Sequence, residues 1–167
     1  MSGNIGLFHE QLVSDGKKIW YLEFKSKLLF EVDLTTYEVG VIGQVPGLNC
    51  TNDAYRFFVY SDSKLIFLPF NSNVLLVYDL VQKKYVQYEI RIGNDLVDSE
   101  LNLFGAAVYG DNLIAFGKHP FIFKFNLVTG EYSLNTKCVK KFKLRNESNV
   151  WFNKNYCVYG NHLYIRP

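Results

Sequence analysis

Apolar and polar positions alternate along the chain in short bursts, and the bursts recur. Residues 28–37 read LLFEVDLTTY, 74–85 read VLLVYDLVQKKY and 121–132 read FIFKFNLVTGEY. Leu28, Phe30, Val32 and Leu34 share one face, as do Val74, Leu76, Tyr78 and Leu80, and as do Phe121, Phe123, Phe125 and Leu127. Glu31, Asp33, Asp79, Lys124 and Asn126 fall on the other side. A period of two is the mark of a β-strand with one buried face. Each burst leads through a short polar turn into an aromatic-bearing strand beginning near Tyr37, Tyr85 or Tyr132. Asp33, Asp79 and Asn126 stand just before those turns, where a side-chain oxygen can accept hydrogen bonds from the turn's own N–H groups.

A second phrase precedes each of these. Residues 8–19 (FHEQLVSDGKKI), 55–65 (YRFFVYSDSKL), 103–113 (LFGAAVYGDNL) and 156–163 (YCVYGNHL) each run from apolar through a Ser, Asp, Gly, Asn or Lys turn to apolar, which predicts hairpins. The anchors Ile19, Leu65, Leu113 and Leu163 lie 46, 48 and 50 positions apart. The repeat is therefore four strands, A to D, in a meander. One such sheet cannot cover its own apolar faces, so copies must stack around a shared core, which is the logic of a β-propeller blade. The third unit, with its small-residue first strand, a second strand ending in Phe116-Gly117 and a Thr129-Gly130 turn before an aromatic, resembles a kelch-type blade in degenerate form. The expected fold is all-β, a propeller-like array of four-stranded antiparallel blades, about three and a half of them. The units fall at 7–43, 55–92 and 103–137 with a partial one at 151–167, in a single domain over 1–167. Propellers close with about four to eight blades. An incomplete set implies further blades, association of copies, or a different arrangement such as a stacked meander or sandwich.

Composition agrees. With 49% hydrophobic and 20% charged residues the chain is that of a globular protein, and its 14 Phe and 12 Tyr stand against alanine only at Ala54, Ala106, Ala107 and Ala115. A net charge of +2 falls short of the basicity of a dedicated nucleic-acid binder, so nucleic acid is not expected as a partner. Cys50, Cys138 and Cys157 are odd in number and lack C-x-x-C spacing, which reads as free thiols in a reducing, cytoplasmic setting. No signal peptide or membrane span is expected, since the longest apolar stretch is residues 65–70.

In a meander the B-to-C loops and D-to-A connections share one end of the blades, and the longer segments, 43–54, 93–102 and 138–150, all fall there. Loops longer than a hairpin needs are where binding usually resides. Two candidates lie at that end. Lys140, Lys141, Phe142, Lys143 and Arg145 concentrate cations around an aromatic, and Lys118 with His119 occupies a tight B-to-C turn. The first could meet an acidic group and the second a ligand; the plain alternatives are a solvated strand and a simple turn. His9, His119 and His162 are scattered, so no metal site, catalytic set or cofactor is expected. The expected function is a non-catalytic module that recognises a protein or glycan partner through its loop face, completed by a homo-oligomer or by further blades. The alternative is a carbohydrate-active propeller enzyme, a glycoside hydrolase or lyase, which would need two carboxyl groups facing one sugar.

Overall fold

The computed structural model of the chain describes residues 12–23, 26–49, 52–91, 101–117, 121–135, 156–159 and 162–165. They are strands and turns throughout. Two compact units emerge, residues 1–53 and 54–167.

The first unit holds one four-stranded antiparallel meander of β1 (Leu12–Ser14), β2 (Lys18–Glu23), β3 (Leu28–Asp33) and β4 (Val39–Gln44), followed by the two-residue strands β5 (Leu48–Asn49) and β6 (Asn52–Asp53). The second unit holds two such meanders: β7 (Tyr55–Ser61), β8 (Lys64–Pro69), β9 (Val74–Asp79) and β10 (Lys84–Glu89), then β11 (Leu103–Tyr109), β12 (Asn112–Gly117), β13 (Ile122–Asn126) and β14 (Tyr132–Asn135). A hairpin of β15 (Tyr156–Tyr159) and β16 (His162–Ile165) begins a fourth. These are three full blades and the first half of another.

The turns repeat as closely as the strands. Asp33 Oδ1 accepts from the N–H groups of Thr35 and Thr36 at 2.8 and 3.1 Å. Asp79 Oδ1 does the same for Val81 and Gln82, and Asn126 Oδ1 for Val128 and Thr129. The N–H of the residue directly after each cap, Leu34, Leu80 or Leu127, donates to the A-to-B turn of its own blade at Lys17, Ser63 or Asp111 O, over 2.7–2.9 Å. The fourth residue after the cap is left-handed in all three blades: Tyr37 (φ 59°), Lys83 (φ 53°) and Gly130 (φ 75°). This corrects the expectation for Tyr37. It is a turn residue, 78% exposed, and β4 starts two positions later. Tyr85 and Tyr132 lie in β10 and β14 as expected.

Between the second and third blades lies the main core. Ile66, Leu68, Leu75 and Val77 on one face of the second blade pack with Leu113, Ala115, Phe123 and Phe125 of the third, sealed by Ile90, Leu101, Leu103 and Ala106. The Tyr88 and Phe125 rings meet edge to face at 4.9 Å, an arrangement that the charge distribution of aromatic rings favours. On its opposite face the second blade buries Phe58, Leu65, Phe67, Leu76 and Tyr78 as well. Its central strands are thus buried on both sides, and the alternation read from the sequence holds only where one face stays polar, as at Phe123, Lys124 and Phe125 in β13.

Candidate functional site

The meander order puts the B-to-C turns and D-to-A connections at one end of each blade. In the second unit this end is laced together through the backbone. Phe70 N–H donates to Ala54 O at 2.7 Å, Asn102 N–H donates to Phe70 O at 3.0 Å, and Leu101 N–H donates to Ser72 O at 3.2 Å. The turn at 70–73 is therefore clamped between the connection that enters its blade and the one that enters the next. Gly117, at the end of β12, lies so close to this lattice that a Cβ there would stand 2.1 Å from Asn102 O.

The same end carries a cation over an aromatic ring. The register of β7 against β8 slips between Tyr55 and Phe57, so Arg56 sits in a β-bulge, a device that re-aims a side chain. Its guanidinium lies 4.1 Å from the centroid of Phe70. Behind it, burial raises the Tyr55 phenol to about 12, even though a hydrogen bond with Ser72 pulls the other way. The third blade has a bulge at the same repeat position, where Phe104 meets Phe116 edge to face at 6.0 Å. Sequence reasoning missed Arg56 because it read 55–65 as an apolar run leading into a turn. The signal was the one cation inside that apolar run, between Tyr55 and Phe57.

In the first unit the corresponding end is held by an ion pair. Lys27, left-handed at φ 58° and buried, reaches Asp53 Oδ1 at 2.8 Å, and its carbonyl accepts from Val45 N–H. Ser26 N–H bonds the Glu23 carboxylate.

Two polar hollows lie at equivalent repeat positions near the opposite, turn-capped end. One, about 510 Å³, is lined by Lys18, Glu31, Asp33, Glu38, Val39 and Gly40; the other, about 230 Å³, by Asn112, Lys124, Asn126, Glu131, Tyr132 and Ser133. In the first, Lys18 Nζ is 2.6 Å from Glu31 Oε1, and Trp20 Nε1–H donates to Glu31 Oε2 at 2.9 Å. The hydrogen bond to Glu31 raises the Lys18 pKa. The Asp33 carboxyl is lowered by the N–H groups of Thr36 and Thr35. Both carboxylates are thus engaged in holding the sheet and its turn. Among the described residues, no group of three His, Cys, Asp or Glu side chains could hold a metal ion. No helix there is long and apolar enough to cross a membrane.

The residues singled out from sequence, Lys118, His119, Lys140, Lys141, Phe142, Lys143 and Arg145, lie outside the described residues.

No family model and no curated protein matches this chain. Solved structures do. The chain is similar to one in a nidogen/laminin complex (TM-score 0.56, 11% identity, 78% of this chain and 48% of that one). It is also similar to the extracellular domain of a one-component system from B. thetaiotaomicron (TM-score 0.58, 8% identity, 76% and 16%). A third is the tricorn protease (TM-score 0.51, 21% identity, 75% and 11%). The chain spans less than half the length of each. The likeness is one of fold, and it places the three sheets among β-propeller blades.

Proposed function

We propose that residues 1–167 form one partial, kelch-like propeller domain that acts as a non-catalytic binding module in a reducing, cytoplasmic setting, with the loop end of its blades contacting a protein or glycan partner. The observation that carries this reading is the construction of that end. The backbone ladder through Ala54, Phe70 and Asn102 fixes the roots of the connecting segments, and Arg56 is presented over Phe70 on that fixed base. Rigid scaffolds that hold chemically varied loops are the common design of recognition surfaces, and arginine and aromatic residues are the side chains most enriched at their centres. Lys118, His119, Lys140, Lys141, Phe142, Lys143 and Arg145 extend the same surface in this reading. Among structures alike in fold, one is a complex of two proteins, nidogen and laminin.

The test is a glycan array and a displayed peptide library probed with the purified chain, repeated with Arg56→Ala and with Lys140, Lys141 and Lys143 all changed to Ala. Binding that falls at least tenfold in one variant, with an unchanged far-ultraviolet spectrum, supports the reading. Hits bound equally by wild type and both variants would move recognition away from this end, and turnover of a bound glycan would replace the module by an enzyme.

A further inference from the structure

The outer edge of the first blade is bare. β4 is the last strand of its sheet, and no described strand pairs with its outer side. That position follows from strand order within one blade and does not depend on neighbouring blades. Asp33 N–H donates to Glu38 O at 3.0 Å, and Val32, Glu31 and Phe30 pair in turn with Val39, Gly40 and Val41. Hydrogen-bonded and non-bonded pairs alternate in an antiparallel ladder, so Val39 and Val41 turn their N–H and C=O groups outward. The first three residues of β4 are exposed. Edges of this kind are commonly blunted by charge or proline. β10 carries Lys84 and Glu89, whereas β4 reads VGVIGQ and holds neither device. The slip in register between Leu29 and Phe30 ends the regular run, which leaves residues 39–41 as the free edge.

Beside this edge lies the larger of the two polar hollows, with Gly40 in its lining. The Gly40 backbone is not left-handed, and a Cβ there would meet only Glu31 O, at 3.9 Å, so neither conformation nor packing calls for glycine. Glycine inside a strand weakens it and often marks the close approach of a ligand or another backbone. Of the charges lining the hollow, Lys18 and Glu31 pair with each other, which leaves those of Asp33 and Glu38. The Glu38 carboxylate has no ion-pair partner among the described residues. The repeat shows that the meander does not need this set. At the positions of Glu31, Glu38 and Gly40 the second blade has Val77, Lys84 and Val86, and the third has Lys124, Glu131 and Ser133. The same turn and strands form over all three versions, so the acidic charge and the missing side chain belong to the first blade alone.

We propose that the 39–41 edge of β4 is a strand-addition site for an extended segment of a partner protein, with a basic side chain of that segment lying across Gly40 into the hollow. The outward N–H and C=O groups of Val39 and Val41 supply the pairing, and pockets beside such an edge supply the choice of side chain. The partner residue beside Gly40 projects onto the face that carries Glu31, because paired residues share a face. An arginine or lysine there passes over the glycine, where a larger side chain would block it, toward the two carboxylates that Lys18 leaves unneutralised. The residues on either side of it fall on the opposite face, beside Val39 and Val41, where β-branched apolar side chains fit. The proposal is independent of the loop-end reading, since it concerns the outer edge of one blade near the turn-capped end.

The experiment titrates the fluorescein-labelled peptide Ser-Thr-Val-Arg-Val-Thr-Ser with the whole chain and follows fluorescence anisotropy. The expected result is saturable binding that falls at least tenfold when the peptide arginine is replaced by glutamate. It should fall as far when both valine amides, which antiparallel pairing turns toward Val39 and Val41, are N-methylated. Gly40→Val and Glu38→Lys copy what the second blade already holds, and each, with unchanged circular dichroism, should weaken binding at least tenfold. Glu131→Lys makes the same charge change at the same repeat position of the third blade and should leave binding intact. No saturable binding at millimolar peptide overturns the proposal. So does binding indifferent to the arginine or to N-methylation, or binding that neither edge variant weakens. Self-association in light scattering that Gly40→Val abolishes, with no peptide bound, would give the edge to a second copy and overturn it as well. Should Gly40→Val fail to fold, Glu38→Lys decides.

Discussion

Asp33, Asp79 and Asn126 put the same side-chain oxygen to the same use, so the charge at this position can be separated from its geometry. The Asp33 carboxyl is lowered from 3.8 by the N–H groups of Thr36 and Thr35, which bond the ionised form. A carboxyl held below its unfolded value stabilises the fold fully above that value, and the contribution is lost as pH falls through the folded one. Asn126 shows that an amide fits the same turn. Asp33→Asn should therefore keep most of the neutral-pH stability while flattening the loss of stability on acidification below about pH 4. Urea midpoints at a series of pH values check this, and identical pH slopes for wild type and variant would show that the charge is idle. These caps were legible in the sequence because a single oxygen before a polar turn is a local device. Tyr37 was not, because nothing in an aromatic residue announces a positive φ; only its alignment with Gly130, four residues after the cap, would have shown it.

At the scale of the element, strand order and register followed from hairpin spacing, whereas the points where strands touch something else did not. The bulges at Arg56 and Phe104 each displace one residue from the ladder, and a count of alternating positions passes over a single slip. Gly117 is the clearest case. In sequence it is the end of an apolar strand; in the fold it is the place where β12 comes against the backbone of Asn102, itself tied to Phe70. A methyl group 2.1 Å from that carbonyl has no side chain to push aside, so the connection must move. Gly117→Ala should lower stability by roughly 3 kcal/mol, the upper part of the usual range for overpacking. It should also loosen the loop end, raising amide exchange at Phe70 and Asn102. Chemical denaturation with exchange at those two amides measures both, and a variant with wild-type stability would mean that the connection yields freely. The cation cluster at 140–145 and the Lys118-His119 turn carried the sharpest chemistry legible in the sequence. They fall outside the described residues, so the candidate site rests instead on Arg56 and Phe70.

For the molecule as a whole, the repeat makes stability a sum of blades and of the interfaces between them. The second and third blades share a core in which Phe123 is fully buried in one cluster with Leu75, Val77 and Phe125, and neither blade covers that surface alone. If the interface contributes more stability than the blades do separately, cutting it weakens both blades together; if each blade is stable by itself, only β11–β14 should respond. Phe123→Ala removes a fully buried ring, a change that typically costs about 3–5 kcal/mol. The expectation is coupled loss: amides of β8 and β9 should lose protection by about the same free energy as those of β12 and β13, although none of the former is changed. Native-state hydrogen exchange resolves the two sets. Undiminished protection in β8 and β9 would make each blade its own folding unit. Coupled loss would show that a blade is held by the face that covers it.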